Sequence, residues 1–547
     1  MNSSITNRGW KTFLSWDKTA AALLILLGAI LRLRQYLTGR SLWADEAMLA
    51  LNIVGRDFSG MFRSLDYDQG APVGFLLVEK LFNLILGKHE LALRLFPLLV
   101  GLLSLGLFYL LLQRLTSGAG LLVALALFAF NPRLVYYSSE VKQYILDVAI
   151  TIALLLLVSP VFGASPRKKD YVWLTAAGVI ALWFSHPALF VLAGIGLTVV
   201  VSTIKKQDYS TLRLVAGMGV VWLLTITLLY LLILQDLSQN AYMREYWQGA
   251  FLPVPPWSEP GWFMKAFNEN IGIQFGIPYA VFLVLFLMLV GWVSLSLRGA
   301  PVLSGEQRSR RTATKQPPVH RVDNQLHVGL GNDFETINSN QSYALAVAGT
   351  VLVTGIASAF GLYPVFERMI LFLVPIGLLL IGKAFDVIYA RLQRYALPGV
   401  LTVLLAGYLL YGPLVTSLQN FLAPKYFEHI RPTMATLRDA WKDGDALYIS
   451  NGALPAFRFY APFYALETIP YEFGEREDYK NPQNILSRLD TLKGQPRVWI
   501  LLSHVYERDS LNEREFILKY LNDIGVKKRE FRLPGTSVFL YLYELRN

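Results

Sequence analysis

Two adjacent carboxylates, Asp45 and Glu46, stand in the stretch SLWADEAMLALN, directly after the first long apolar run of the chain. A carboxylate within hydrogen-bond reach of a hydroxyl can take its proton while a new bond forms. Cations able to hold a phosphate occur further on: Lys142 in YYSSEVKQYILDV, His186 in WFSHP and Arg368 in YPVFERMILFLVP. Arg368 is the first candidate among them, because a guanidinium adds bidentate geometry to its charge. Glu140 and Tyr144 flank Lys142, Glu367 precedes Arg368, and Asp66 and Asp68 follow the acidic pair. Ionisable groups at membrane depth are costly and mark functional sites that line wet cavities. Carboxylates and cations gathered there suit a phosphate-linked lipid and a hydroxyl-bearing partner.

The elements that must position these groups are apolar helices. Apolar types make up 54% of the 547 residues and charged types only 16%, against about 25% in soluble domains. Repeated apolar runs reach the ~20 residues that span a bilayer. The spacing predicts about eleven spans: 17–37, 91–113, 118–137, 141–161, 171–185, 187–203, 212–234, 277–297, 343–362, 367–388 and 396–418. The first follows Arg8, Lys11 and Lys18 and shows no small-residue cleavage site, so it reads as a retained signal anchor. FLLVEKLFNLIL, interrupted by Glu79 and Lys80, reads as a short interfacial helix. The run 171–203 has basic residues at both ends and is split into two crossings at His186–Pro187.

The net charge of +11 comes from short basic loops between apolar runs, which sets membrane orientation rather than nucleic-acid binding. With the N-terminus cytoplasmic, Arg114, Arg167–Lys169, Lys205/Lys206, the basic stretch 308–315 and Arg391/Arg394 fall inside. The outer side then receives 38–90, the turns near 140, 186 and 365, the loop 235–275 and everything after 418. Every candidate group named above lies there. The polar stretch 299–341 reads as a cytoplasmic linker. After 419 the pattern changes: ALYIS, RVWILLS and SVFLYLYEL alternate with polar stretches, which predicts a small extracytoplasmic α/β domain over 419–547 beyond a transmembrane module over 1–418. There are no cysteines. None of the six histidines has HxxxH-type spacing, and the residue types leave a divalent metal open without supporting one.

SLWADEAMLALN, YDQGAPVGFLLVEKL and GKHELALRLFPLLVGLLSL, in this order, resemble the N-terminal module of the GT-C glycosyltransferases. The similar branch is the bacterial one related to protein O-mannosyltransferases and aminoarabinose transferases. YYSSEVKQYILDV, WFSHPALFVLAG and YPVFERMILFLVP extend the resemblance over roughly residues 20–390. APVGF stands where many relatives carry a Pro-Pro pair. The resemblance implies an inverting membrane transferase of the cell envelope, in the bacterial cytoplasmic membrane. It would pass a sugar from a polyprenyl-phosphate donor to an acceptor hydroxyl on a protein, lipid or polysaccharide at the outer face. It assigns Asp45 the role of base or acceptor-positioning group, with Glu46 beside it. Arg368, Lys142 and His186 then fall to the donor phosphate, and Glu140, Tyr144 and Asp68 to substrate contacts.

Simpler readings stand beside these. Asp45 could cap the helix that follows it, and Glu46 could complement the helix dipole. Asp66 and Asp68 fit solvated loop residues, and Glu140 and Lys142 a surface pair in an aromatic belt. His186 could be a helix-end residue, and Arg368 a snorkelling arginine. Arg94 reads as structural, paired with a first-loop carboxylate. At the level of function the rivals are a flippase for polyprenyl-linked glycans and a non-catalytic glycan-assembly subunit. A flippase calls for polar residues through the bilayer and an internal repeat, neither of which is evident.

Overall fold

The structure is a computed structural model that describes residues 4–296, 331–392, 398–479, 481–508 and 511–546. It is an α-helical polytopic membrane protein. Eight of its described helices are long and apolar enough to cross a bilayer: Asp17–Tyr36, Glu90–Leu115, Ala188–Lys205, Tyr209–Gln239, Pro278–Ser296, Ser339–Ala359, Glu367–Leu392 and Gly399–Leu422. The other three expected spans hold helices shorter than these eight. The run 118–137 breaks into Gly118–Ala129 and Pro132–Tyr137, because Asn131 accepts the Arg133 and Leu134 N–H groups and Pro132 opens a new helix. The run 141–161 is helical over Tyr144–Leu157, and 171–185 over the 17 residues Lys168–Phe184. The next helix starts at Ala188, so the chain does turn at His186–Pro187. Most of the expected linker 299–341 lies outside the described residues, but its last part already belongs to the helix Gly331–Ala359.

The chain divides into two compact units. The first comprises Met1–Arg32, Leu99–Ser138 and Gln143–Ser417. Its helices approach closely where side chains are small, which substitutes dispersion for a hydrophobic drive that lipid cannot supply. Between Ala188–Lys205 and Gly331–Ala359, a Cβ on Gly194 would stand 2.4 Å from the Ala346 carbonyl oxygen. Here Arg32 is buried and does more than flank the first span: it donates to the Gly28 carbonyl at 3.0 Å and the Ala129 carbonyl at 3.2 Å. A cation thereby satisfies the C-terminal end of the helix Gly118–Ala129.

The second unit comprises Leu33–Leu98, Ser139–Lys142 and Leu418–Asn547. Following α1 (Ser4–Tyr36), this unit holds α2 (Ala44–Gly55), α3 (Val73–Leu86) and the start of α4 (Glu90–Leu115). At 14 residues α3 is too short to span, and its amphipathicity is inverted. Glu79, Lys80 and Asn83 are buried while Leu81, Leu84 and Ile85 are exposed. The Lys80 ammonium donates to the Ile53 and Val54 carbonyls at 3.0 and 3.3 Å and so closes the end of α2.

The tail folds on a five-stranded sheet: β1 (Ala446–Ile449), β2 (Glu472–Phe473), β3 (Val498–Leu502), β6 (Gly525–Phe531) and β7 (Phe539–Leu545). A two-stranded hairpin, β4 (Glu507–Arg508) and β5 (Leu511–Asn512), stands apart from it. Strand order is β2-β1-β3-β7-β6, parallel at β1–β2 and β1–β3, antiparallel at β3–β7 and β6–β7. β1, β3 and β7 are the strands the apolar patterning predicts. Helices Gln483–Asp490 and Glu513–Ile524 pack Ile485, Leu489, Ile517 and Leu521 against Tyr448, Ile500 and Tyr541. The edge strand β6, GVKKREF, is exposed and heavily charged, which protects the edge and hides the strand from hydrophobic patterning.

Candidate functional site

The N-cap of α2 is Trp43, in extended backbone and without a side-chain cap. Asp45 is therefore not the cap. It and Glu46 lie in the first helical turn, where carboxylates complement the helix dipole. Adjacent positions on a helix point about 100° apart, so the two carboxylates have different fates. Glu46 is fully buried and accepts from Arg40 at 2.8 Å and from Arg94 at 2.6 and 2.9 Å. Its second oxygen also accepts the Val141 N–H at 2.9 Å. Burial alone would raise its pKa, but the two guanidiniums outweigh that and hold it below the ordinary carboxylate range. Arg94 thus pairs with a first-loop carboxylate, as expected of it.

Asp45 faces a different partner. The Lys142 ammonium is 2.9 Å from Asp45 Oδ1 and donates to Gln69 Oε1 at 2.6 Å. Gln69 Nε2 in turn donates to Asp45 Oδ1 at 3.2 Å. The Asp45 side chain is 18% exposed and that of Lys142 4%, so a part-buried carboxylate sits beside a buried cation.

Each residue of Ser139–Lys142 is tied to the first loop. Arg40 donates to the Ser139 carbonyl at 3.0 Å, Trp43 Nε1 to Glu140 at 2.7 Å, Val141 to Glu46, and Lys142 pairs with Asp45. Glu140 and Lys142 are both buried, which rules out an ordinary surface pair. Asp68 pairs with Arg476 from the tail, and Tyr67 and Asp68 take the left-handed backbone region with φ of 62° and 53°. Asp66 is mostly exposed and pairs with Arg56 at 3.0 Å, which fits a solvated loop residue.

The tail supplies groups that nothing in the local sequence singled out. Glu428 Oε2 accepts the Ala44 N–H at 2.9 Å, and its Oε1 accepts from His504 Nδ1 at 2.7 Å. This hydrogen bond raises the His504 pKa, as do the charges of Glu428, Asp45 and Glu513, against an opposing effect of burial. The Tyr460 hydroxyl accepts the Leu42 N–H at 2.8 Å and donates to Glu90 at 2.7 Å. Gln69 was also missed: a neutral amide carries no charge signal, and only its contact with Asp45 and Lys142 marks it.

In the first unit, the Arg368 guanidinium lies over the Tyr144 ring, 5.7 Å from its centroid. Tyr144 also meets Tyr137 edge-on at 5.2 Å. Asn270 holds the bend before Arg368, donating to the Val365 carbonyl at 2.9 Å and accepting the Glu367 N–H. His186 stands in the turn between Lys168–Phe184 and Ala188–Lys205. The candidates thus fall into two sets: Asp45, Glu46, Asp68, Glu140 and Lys142 in one unit, and Tyr144, His186 and Arg368 in the other. Among the described residues no group of three or more His, Cys, Asp or Glu side chains could hold a metal ion.

No protein-family model and no curated protein sequence matches this chain. Solved structures do. ArnT from Cupriavidus metallidurans bound to undecaprenyl phosphate aligns over 96% of this chain and 98% of its own, at 14% identity and a TM-score of 0.50. The same ArnT in the apo state aligns over 97% and 98% at 14% identity, with a TM-score of 0.41. An Archaeoglobus fulgidus oligosaccharyltransferase in complex with Zn and sulfate aligns over 87% of this chain and 67% of its own, at 10% identity and a TM-score of 0.46. The first alignment runs nearly end to end through both the helices and the tail, and by it this chain has the fold of ArnT.

Proposed function

We propose that this protein transfers a sugar from a polyprenyl-phosphate donor to an acceptor hydroxyl at the outer face of the bacterial cytoplasmic membrane. The observation that carries the reading is the part-buried Asp45 carboxylate beside the buried Lys142 ammonium, in a chain with the fold of a protein solved with undecaprenyl phosphate. In the reaction the acceptor oxygen attacks the anomeric carbon and its proton passes to Asp45. The bond from that carbon to the lipid phosphate breaks, with inversion, and the electron pair leaves with the phosphate. Cations stabilise the charge that gathers there, most strongly in a water-poor pocket. Beside Asp45 that role falls to Lys142, with Glu140 and Asp68 as the substrate-contact candidates of the same unit. Arg368, His186 and Tyr144 are the phosphate and substrate candidates of the other unit.

Glu46, with its oxygens held by two arginines and the Val141 N–H, acts as a positioning residue rather than a second base. The N-terminus is cytoplasmic, and residues 419–547 form an extracytoplasmic domain. Native mass spectrometry of the purified protein tests the donor class. Polyprenyl phosphate, or its glycosylated form, is expected to co-purify and to exchange with added lipid. Exclusive retention of nucleotide sugars, with no exchange of polyprenyl phosphate, would reject the reading.

A further inference from the structure

The proposed base is engaged at one oxygen: Lys142 is 2.9 Å away and Gln69 donates to the same oxygen. A carboxylate that takes a proton in the displacement must lose it before the next turnover. Turnover needs a group to which that proton can pass. Beside α2 stands an imidazole fitted for this. The ring of His504 is 6.0 Å from that of Trp43, two residues before Asp45. Its Nδ1–H is held by Glu428, whose other oxygen accepts the Ala44 N–H, so one carboxylate ties the imidazole to the residue preceding the base. That hydrogen bond fixes the tautomer and leaves Nε2 as the proton-accepting nitrogen. The side chain is 53% exposed, which gives a proton a route to solvent.

The backbone around His504 is built for this position. His504 has φ of +48°, a left-handed conformation that non-glycine residues rarely adopt and that collects at functional sites. Gly452 makes room for it: a Cβ there would stand 2.6 Å from the His504 carbonyl oxygen and 2.8 Å from its Cβ. The charged groups acting on the imidazole are Glu428, Asp45 and Glu513, all carboxylates.

We propose that His504, oriented by Glu428, is the proton relay of this site. It takes from Asp45 the proton that Asp45 accepts from the acceptor hydroxyl, and it releases that proton to water. No bond other than O–H and N–H changes in this step. The inference rests on Asp45 as base, and its test separates the two. The full-length protein in lipid nanodiscs is assayed for release of polyprenyl phosphate from a polyprenyl-phosphate sugar. Three variants are compared with the wild type: Asp45→Asn, His504→Gln and His504→Ala.

His504→Gln can keep a hydrogen bond to Glu428 and so its fold. It is expected to lose turnover on the order of 10²-fold and to lose the acidic limb of the pH–kcat profile, and added imidazole is expected to restore part of the activity of His504→Ala. If His504→Gln keeps turnover and the wild-type profile while Asp45→Asn is inactive, the relay is wrong and the base assignment stands. If Asp45→Asn keeps turnover, the base assignment fails and the relay with it. A measurement without substrate backs this up: the His504 imidazole, followed by NMR, should titrate at lower pH in Asp45→Asn, and an unchanged titration overturns the relay.

Discussion

The substitution Glu46→Gln isolates the buried charge cluster that holds the site together. It keeps the shape of the side chain and removes one charge. Arg40 and Arg94, 2.8 and 2.6 Å from the carboxylate, are then left buried with an uncompensated positive excess. Breaking a buried ion pair from one side costs about 3–5 kcal/mol, because the remaining charge stays desolvated. In a unit of about 150–250 residues each kcal/mol moves Tm by roughly 2–4 °C. A loss of about 6–20 °C follows, readable by tryptophan fluorescence during heating in detergent. Asp66→Asn is the control: it breaks an ion pair whose carboxylate is 70% exposed, worth at most about 1 kcal/mol.

The same cluster gives a pH dependence. The Glu46 pKa lies below its unfolded value, so its contribution is present above the unfolded carboxylate range and is lost as pH falls through the folded one. Glu46→Gln should therefore flatten the acid side of the stability curve. A Glu46→Gln protein that melts within 2 °C of wild type at neutral pH, with the same acid dependence, would refute the reasoning.

Three further predictions rest on other groups. Glu79 is fully buried, and its two carboxylate oxygens have no hydrogen-bond partner among the described residues, so burial raises its pKa well above the usual carboxylate range. The folded state then holds a proton that the unfolded state gives up above about pH 4.3, and stability falls with rising pH by about 1.4 kcal/mol per unit until the folded pKa is reached. Glu79→Gln should melt higher than wild type at pH 8 and converge with it at pH 4; a pH-independent difference contradicts this. Lys142→Met should lower Tm, because it leaves the part-buried Asp45 carboxylate without its cation, and should weaken polyprenyl-phosphate binding in a lipid titration on the folded variant; unchanged affinity would remove Lys142 from the phosphate site. Arg368→Lys keeps charge but loses the planar fork, so donor affinity should fall at least about tenfold; an equal affinity would reduce Arg368 to a snorkelling residue.

Much of this architecture could be read from the chain because apolar length is a strong signal. Eight helices coincide with expected spans, and the turn at His186–Pro187 follows from the basic residues on either side. The misread places have local physical causes. The run 118–137 looks continuous in composition, yet Asn131 and Pro132 cap and restart the helix inside it. Residues from Gly331 onward are polar and read as linker, but they are the first turns of a helix whose apolar part follows. β6 lacks apolar alternation because it is a charged edge.

At the site, Asp45, Glu46 and Lys142 were legible by charge in an apolar setting, and their division of labour was not. Whether a carboxylate meets Lys142 or two arginines depends on the turn of α2 and on a segment about a hundred residues away. Glu428, His504 and Tyr460 gave no signal, because hydrogen bonds across 384, 76 and 418 residues respectively leave no local pattern.

The most direct test of the central claim is single-turnover release of polyprenyl phosphate from a polyprenyl-phosphate sugar by wild type and by Asp45→Asn, with donor binding measured on both. The account predicts that Asp45→Asn binds the donor as wild type does and loses turnover by on the order of 10²–10⁴-fold, the contribution of a general base. Turnover by Asp45→Asn at the wild-type rate would contradict it.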